Sequence, residues 1–287
     1  TEIQLQGLCR HLDHDRFAPH VCTFRPYDDR LVPVSCPTLR CDVRRLLSPA
    51  AVKAVRDLAS YIRQHRIEVV QTFFQDATVL GTLAARLAGA PVRIASFRDM
   101  GFWRDRRQEL LGRLVYPLLT DGIANSSAVR DHAETYAGIR PGMIEVIANG
   151  VDVGRFSGDA PKPERLSVAI VGNFNRPVKR TDLFIEAVGR LAPRFPDVDW
   201  YVVGEGRLEA ELRVLADRKG VAGSVRFTGR VDDVPAFLAG VHIGVNCSDS
   251  EGFSNAVTEY MLSGCTAVAT RVGGNAEAIE NGVTGLL

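Results

Sequence analysis

The stretch LSVAIVGNFNRPVKRTDLFIEAV, Leu166–Val188, decides the fold. Leu166–Val171 is apolar and rich in β-branched residues, as a buried strand requires, and a helical period takes over at Thr181. Between them lies a loop that opens on Gly172 and carries Arg176 and Lys179. Strand, glycine turn and helix make half of a βαβ unit, and the same alternation extends in both directions along the chain.

Downstream, strands are expected at Asp199–Val203, Val225–Thr228, His242–Asn246 and Ala267–Thr270, with helices starting at Arg207, Val234, Asn255 and Asn275. Upstream, His20–Phe24, Glu68–Thr72, Val92–Ser96, Gly122–Asn125 and Ile144–Ala148 read as strands. Glu2–Leu12, Pro49–Gln64, Ala77–Ala88, Gln108–Leu119 and Ala128–Ala137 read as helices. The aperiodic stretch Asn149–Pro163 separates the two series. The expected class is α/β, with two doubly wound Rossmann-like domains at 1–150 and 165–287 joined by a linker at 151–164. In such sheets ligands bind beyond the carboxyl ends of the strands, so the loops after Val171, Val203, Thr228, Asn246 and Thr270 should face one crevice.

Composition narrows the partners. The 287 residues are 46% hydrophobic and carry a net charge of +1, which gives no general attraction for nucleic acid. No apolar run approaches the roughly 20 residues that cross a bilayer. Cysteines at 9, 22, 36, 41, 247 and 265 form no Cys-x-x-Cys pair, which fits a reducing cytoplasm.

The loop after Asn246 holds the most chemistry. In SEGFSNAVTEYMLSG, Ser250–Gly264, the chain turns and starts a helix near Asn255, whose free N–H groups and dipole suit a phosphate. Glu251 precedes that helix and Glu259 lies about one turn inside it, so the two carboxylates can flank a bound anion. One carboxylate can accept from a ribose diol and the other from a sugar hydroxyl, with a diphosphate between them. A nucleotide sugar has those groups in that order. The plainer alternative makes Ser254 a helix cap and Glu259 a solvated acid.

These motifs resemble a known family. SDSEGFSNAVTEYMLSGCTAVATRVGGNAEAIENGVTGLL, with VGNFNRPVKRTDLFIEAV, VVGEG, FTGRVDDVPAFL and ANGVDVGRF, is similar in content and order to the retaining glycosyltransferases of family four, the group 1 glycosyl transferases with the GT-B fold. IASFRDMGFW and DGIANSSAVR resemble the acceptor domain of the same family more loosely.

The resemblance implies that two domains face a cleft and that Glu251 contacts the donor-sugar hydroxyls while Glu259 holds the nucleotide ribose. Gly252, Phe253, Ser254 and Asn255 would supply the amide edge beside the sugar and phosphates, with Gly172 and Gly204 at the neighbouring loops. The family places an Arg directly after the first-loop Gly; here Asn173 stands there, and Arg176 and Lys179 are the available cations. Such cations favour the departure of a diphosphate. Arg230 would lie beside the base. Relatives often have a His after the strand that here ends in Ser96; this chain has Arg98 and Asp99, and Asp99 is the candidate for orienting the acceptor hydroxyl. The leaving phosphate would take the acceptor proton on the same face, so no cofactor, metal or protein nucleophile is expected.

Other signals carry less. Gly204-Glu205-Gly206 starts like a dinucleotide fingerprint, but Glu209 stands where its third Gly belongs. Asp197-Val198-Asp199 resembles a metal motif, yet it sits at the entrance of a strand, on the wrong side of the sheet. His11 and His14 share a helix without a third ligand nearby. Phe102-Trp103-Arg104 with Arg106 and Arg107 suits either a solvated loop or contact with a lipid-linked acceptor at a membrane surface.

The expected activity is transfer of a sugar from a nucleotide diphosphate donor to a glycan or lipid-linked acceptor. The alternatives are a nucleotide-sugar epimerase of the same architecture and a silent nucleotide-sugar-binding module. The chain is also expected to be a fragment. Its first element is a helix where such a domain opens on a buried strand, and Leu287 falls where the resembled family continues into closing helices, so the cleft would be incompletely assembled.

Overall fold

The computed structural model describes residues 2–25, 36–101, 106–159 and 161–287. The chain divides into two compact units, Thr1–Gly150 and Val151–Leu287.

In unit 1, α1 (Glu2–His11) is followed by β1 (Val21–Thr23) and β2 (Thr38–Arg40), which pair in parallel. Next come α2 (Pro49–Gln64), β3 (Val69–Phe73), α3 (Gln75–Ala88), β4 (Val92–Phe97), α4 (Arg106–Val115), β5 (Asp121–Ala124), α5 (Ser127–Tyr136) and β6 (Ile144–Val146). Strands β3 to β6 form a parallel sheet in chain order. Local chemistry sets the helix ends. Ser48 caps α2 by accepting from the Ala51 N–H, with Pro49 at the first helical position, where its missing N–H costs nothing. Gly89 closes α3 in the left-handed conformation.

Unit 2 contains β7 (Ser167–Val171), α6 (Thr181–Leu191), β8 (Asp199–Val203), α7 (Glu209–Arg218), β9 (Val225–Gly229), α8 (Val234–Ala239), β10 (Ile243–Asn246), α9 (Asn255–Leu262), β11 (Thr266–Ala269), α10 (Asn275–Ala278) and β12 (Gly285–Leu286). Its six strands are all parallel, in the order β12-β11-β10-β7-β8-β9. Alternation along β7 builds two cores. Val168 and Ile170 pack with Phe174, Phe184, Ile185 and Trp200, while Ala169 packs with Leu238, Val257, Tyr260 and Ala267 on the other face. Burial on both faces is why these strands read as nearly continuous apolar runs.

The structure departs from the sequence reading at identifiable places. The helix expected over Gln108–Leu119 stops at Val115 and continues as a 3-10 turn, Tyr116–Leu118, because Pro117 lacks an N–H and disfavours helical geometry at Tyr116. The helix expected from Arg207 begins at Glu209, since Asn175 holds the Arg207 N–H at 3.1 Å and its Nε at 2.7 Å. Strands β2 and β12, three and two residues long, were not anticipated. Residues 151–164, expected to be a linker, fall within unit 2. There Lys162 Nζ donates to Ser263 O at 2.7 Å and Leu238 O at 3.2 Å, capping the ends of α9 and α8.

Candidate functional site

The winding of unit 2 reverses between β7 and β10, and this is the crevice where open parallel sheets bind ligands. Their pairing ends at Ile170 opposite Val245. Beyond it the Tyr260 hydroxyl, from α9, accepts from the Val171 N–H at 2.8 Å and donates to Val245 O at 3.2 Å. The phenol thus satisfies the backbone groups that the splayed strands leave behind, and burial pushes its pKa up, so it stays protonated.

Two loops leave this opened edge. After β7, the 3-10 turn Pro177–Lys179 ends at Arg180, which adopts the left-handed conformation at φ 46°. The Arg180 guanidinium binds Asp182 and, at 3.0 Å, Asp249 of the other loop, whose own N–H donates to Val178 O at 2.9 Å. The loops are therefore stitched together, and Lys179 Nζ reaches Glu251 Oε1 at 2.7 Å.

Glu251 is 8% exposed. Besides Lys179, Ser248 Oγ donates to its Oε1 at 2.6 Å and Asn246 Nδ2 at 3.0 Å. Among the described residues all three donors take Oε1 and none takes Oε2. The backbone is fixed as tightly. Gly274 N donates to Gly252 O at 2.8 Å, and Gly273, at φ 48°, lies so close that a Cβ would come within 1.9 Å of Glu251 O. Only glycine fits there.

Ser254 caps α9, its Oγ accepting from the Val257 N–H at 3.4 Å and from Asn246 Nδ2 at 3.1 Å. Glu259, one turn on, is half-buried. Burial pushes its carboxyl pKa up and the charge of Arg155 opposes that shift. No described residue donates a hydrogen bond to this carboxylate.

The structure thus brings Lys179, Glu251, Gly252, Phe253, Ser254, Asn255 and Glu259 to one edge of the sheet. Gly172 and Gly204 adjoin them: Gly204 N–H bonds Gly229 O at 2.9 Å, and Gly172 N–H bonds Val203 O at 3.0 Å. At φ 127°, Gly204 lies against Gly172 O, where a Cβ would approach to 1.8 Å. Arg176 is exposed at the start of the 3-10 turn, and Arg230 is exposed and pairs with Asp232 at 3.4 Å.

Asp99 belongs to unit 1. It follows β4 and turns back to accept from the Gly101 N–H at 2.7 Å, while its neighbour Arg98 donates to Asn149 Oδ1 at 2.6 Å. Burial lowers the Arg98 pKa. Phe102, Trp103 and Arg104 lie outside the described residues. Arg106 and Arg107 open α4, which exposes Leu110 and Leu114. His11 Nδ1 bonds Gly7 O at 2.8 Å, and Asp199 pairs with Arg165 and Arg226. Among the described residues no group of three His, Cys, Asp or Glu side chains could hold a metal.

Sequence reasoning missed Asn246, Ser248, Asn275 and Tyr260. Asn246 and Asn275 carried a usable signal: a polar amide ends a buried strand in one case and starts a helix beside the same crevice in the other.

The family description Glycosyltransferase Family 4 matches residues 1–155, and Glycosyl transferases group 1 matches residues 165–287. The chain belongs to this glycosyltransferase family. It is 29% identical over 252 residues to the phosphatidyl-myo-inositol mannosyltransferase of Mycolicibacterium smegmatis, covering 81% of this chain and 61% of that protein. It is 24% identical over 263 residues to the Escherichia coli UDP-Gal:alpha-D-GlcNAc-diphosphoundecaprenol alpha-1,3-galactosyltransferase, covering 82% of this chain and 66% of that protein. The chain therefore spans about two thirds or less of these relatives' lengths. Among solved structures, Anabaena HepE in complex with UDP and glucose superposes over 100% of this chain and 81% of its own at TM-score 0.77 and 22% identity. A Rickettsia africae glycosyltransferase does so over 99% and 78% at TM-score 0.81 and 16% identity. These likenesses show the GT-B fold, with its two Rossmann-like halves.

Proposed function

We propose that the protein is a retaining hexosyltransferase that moves a sugar from a nucleotide diphosphate donor to a glycan or lipid-linked acceptor. The observation that carries this reading is the Lys179–Glu251 pair, 2.7 Å apart at the β7–β10 switch point, with Glu259 one turn into the helix that starts there.

In this reading the start of α9, with Gly252, Phe253 and Asn255, receives the diphosphate through backbone N–H groups and the helix dipole. Glu251 Oε2 accepts from the sugar hydroxyls, and Glu259 accepts from the ribose diol. Gly172 and Gly204 let backbone approach the nucleotide, and Arg230 borders the base with its main chain. Lys179, assisted by Arg176, stabilises charge that grows on the diphosphate as its bond to the sugar C1 breaks. The acceptor hydroxyl, oriented by Asp99, bonds to C1 on the same face while its proton passes to the leaving phosphate oxygen. Neither a metal nor a protein nucleophile enters this scheme.

One neighbour, HepE, solved with UDP and with UDP-glucose, supports a uridine donor. The names of the mycobacterial and E. coli relatives favour a lipid-linked acceptor. No described helix is long and apolar enough to cross a membrane. Peripheral contact through exposed Leu110 and Leu114 beside Arg106, Arg107 and Arg113, on the cytoplasmic side, completes the proposal.

A thermal-shift screen of UDP-glucose, UDP-galactose, UDP-N-acetylglucosamine and GDP-mannose tests the donor class, because a ligand that binds only the folded state raises Tm. Transfer assays with the hits and lipid-linked acceptors should follow, with anomeric configuration read by NMR. No shift with any sugar nucleotide would contradict the reading, and an inverted product would contradict retention.

A further inference from the structure

Two buried asparagines stand behind the site. Asn246 is the last residue of β10 and Asn275 the first of α10; they are 5% and 0% exposed. Asn275 Nδ2 donates to Thr270 O at 3.0 Å and to Asn246 Oδ1 at 3.2 Å, and the Ser248 N–H adds a longer contact to the same Oδ1 at 3.4 Å. With its oxygen so engaged, Asn246 must turn its NH2 toward Glu251 Oε1, at 3.0 Å, and Ser254 Oγ, at 3.1 Å. The chemistry allows no reversal. A carboxylate only accepts, so an amide oxygen in that place would face it acceptor to acceptor.

Asn275 Oδ1 is itself buried without a hydrogen-bond partner among the described residues. A buried polar atom left unpaired is costly, and an apolar residue of similar size would avoid that cost. The amide is therefore explained by what its NH2 does, which is to hold Asn246 in one orientation. Asn246 in turn touches both the carboxylate assigned to the sugar and the cap of the helix assigned to the diphosphate.

We propose that Asn246 and Asn275 are positioning residues for donor-sugar recognition: the Asn275-to-Asn246 relay locks Oε1 of Glu251 so that Oε2 alone faces the sugar, and ties that carboxylate to the start of α9. The proposal rests on the donor-site reading above. It assigns discrimination between a sugar-bearing nucleotide and the free nucleotide to residues that touch neither.

The test measures calorimetric affinities for UDP and UDP-glucose, and for GDP and GDP-mannose, in the wild type, Asn246→Asp, Asn275→Leu, Glu251→Ala and the Glu251→Ala/Asn246→Asp double variant. Asn246→Asp should weaken the sugar nucleotide about tenfold or more and the free diphosphate, which feels only the Ser254 cap, by several-fold less. Asn275→Leu should shift in the same direction by less. In the Glu251→Ala background the Asn246 change should add nothing to the loss of sugar affinity, because the relay acts through Glu251. Asn246→Ser and Asn275→Ala, smaller changes that remove the same amides, serve if these variants do not fold and should also weaken the sugar nucleotide selectively. Equal losses for free and sugar-bearing nucleotide, no loss, or additive losses in the double variant would overturn the relay. Failure of the wild type to bind any of the four ligands would instead overturn the donor-site reading, and the relay with it.

Discussion

The two turns of chain on either side of the α9 N-terminus treat their glutamates in opposite ways. Glu251, just before the helix, is buried and its Oε1 takes donors from Lys179, Ser248 and Asn246 within 3.0 Å. Glu259, one turn inside, is half-buried, receives no side-chain hydrogen bond from a described residue, and has a carboxyl pKa pushed up by burial. The first carboxylate is held in one orientation before any ligand arrives. The second bears a desolvation cost that hydroxyl donors from a ligand would offset. A preorganised group fits a part of the donor that changes during reaction, and an under-satisfied one fits a part that only binds.

The largest effect should come from unpairing the first turn. Lys179→Ala should lower kcat by about 10²–10³-fold, the range typical for loss of one preorganised charge-stabilising donor, with donor affinity changing much less. Steady-state kinetics with the donor identified by the thermal-shift screen measures both. A loss confined to KM would make Lys179 a binding group and erase the contrast between the turns. Turnover should persist in excess chelator; inactivation restored by magnesium would assign the diphosphate to a metal.

Next in size, Glu259→Ala should weaken free nucleoside diphosphate by about 1–3 kcal/mol, as when a charge-assisted hydrogen bond is removed. Tyr260→Phe, on the same helix, separates binding from scaffold. It strands the Val171 N–H and Val245 O and should reduce stability to urea by about 1–2 kcal/mol, with nucleotide affinity changing less than in Glu259→Ala. A larger loss of affinity than of stability would show that Tyr260 acts on the ligand.

The smallest effect is in pH. Because the Glu259 pKa in the folded protein lies above its ordinary value of 4.5, its charged form disfavours the folded state. Its contribution to stability is most favourable below that value and declines as pH rises through the raised one. Nucleotide binding, for which the proposed scheme uses the carboxylate as acceptor, should instead weaken as pH falls through the same interval. Glu259→Gln should flatten both trends, and unchanged profiles would remove Glu259 from the site.

The sequence showed unit 2 more fully than unit 1, for a physical reason. Parallel strands buried on both faces leave unbroken apolar runs such as Leu166–Val171, and their carboxyl ends concentrate the candidate residues into short loops: spacing placed those loops and the two carboxylates, and the family resemblance supplied the roles expected of Gly172, Lys179, Glu251 and Glu259. Unit 1 spreads its signals: β2 is three residues with one apolar side chain, and Pro117 cuts short a helix whose periodicity continues past it. Asn246, Ser248, Asn275 and Tyr260 escaped notice because their roles depend on side-chain contacts between residues 3 to 89 positions apart that periodicity does not report. Periodicity reports only which face a residue occupies. The Lys179–Glu251 pair, 72 positions apart, became visible once both loops were placed at one switch point.

The central claim is that the two glutamates divide the donor between them. Calorimetric titration of UDP and UDP-glucose, with GDP and GDP-mannose in parallel, into wild type, Glu251→Ala and Glu259→Ala measures this directly. The account predicts a crossed result: Glu259→Ala weakens the free diphosphate and the sugar nucleotide alike, whereas Glu251→Ala spares the free diphosphate and weakens only the sugar nucleotide. Parallel losses in both variants, or free-diphosphate affinity in Glu259→Ala equal to that of the wild type, would contradict it.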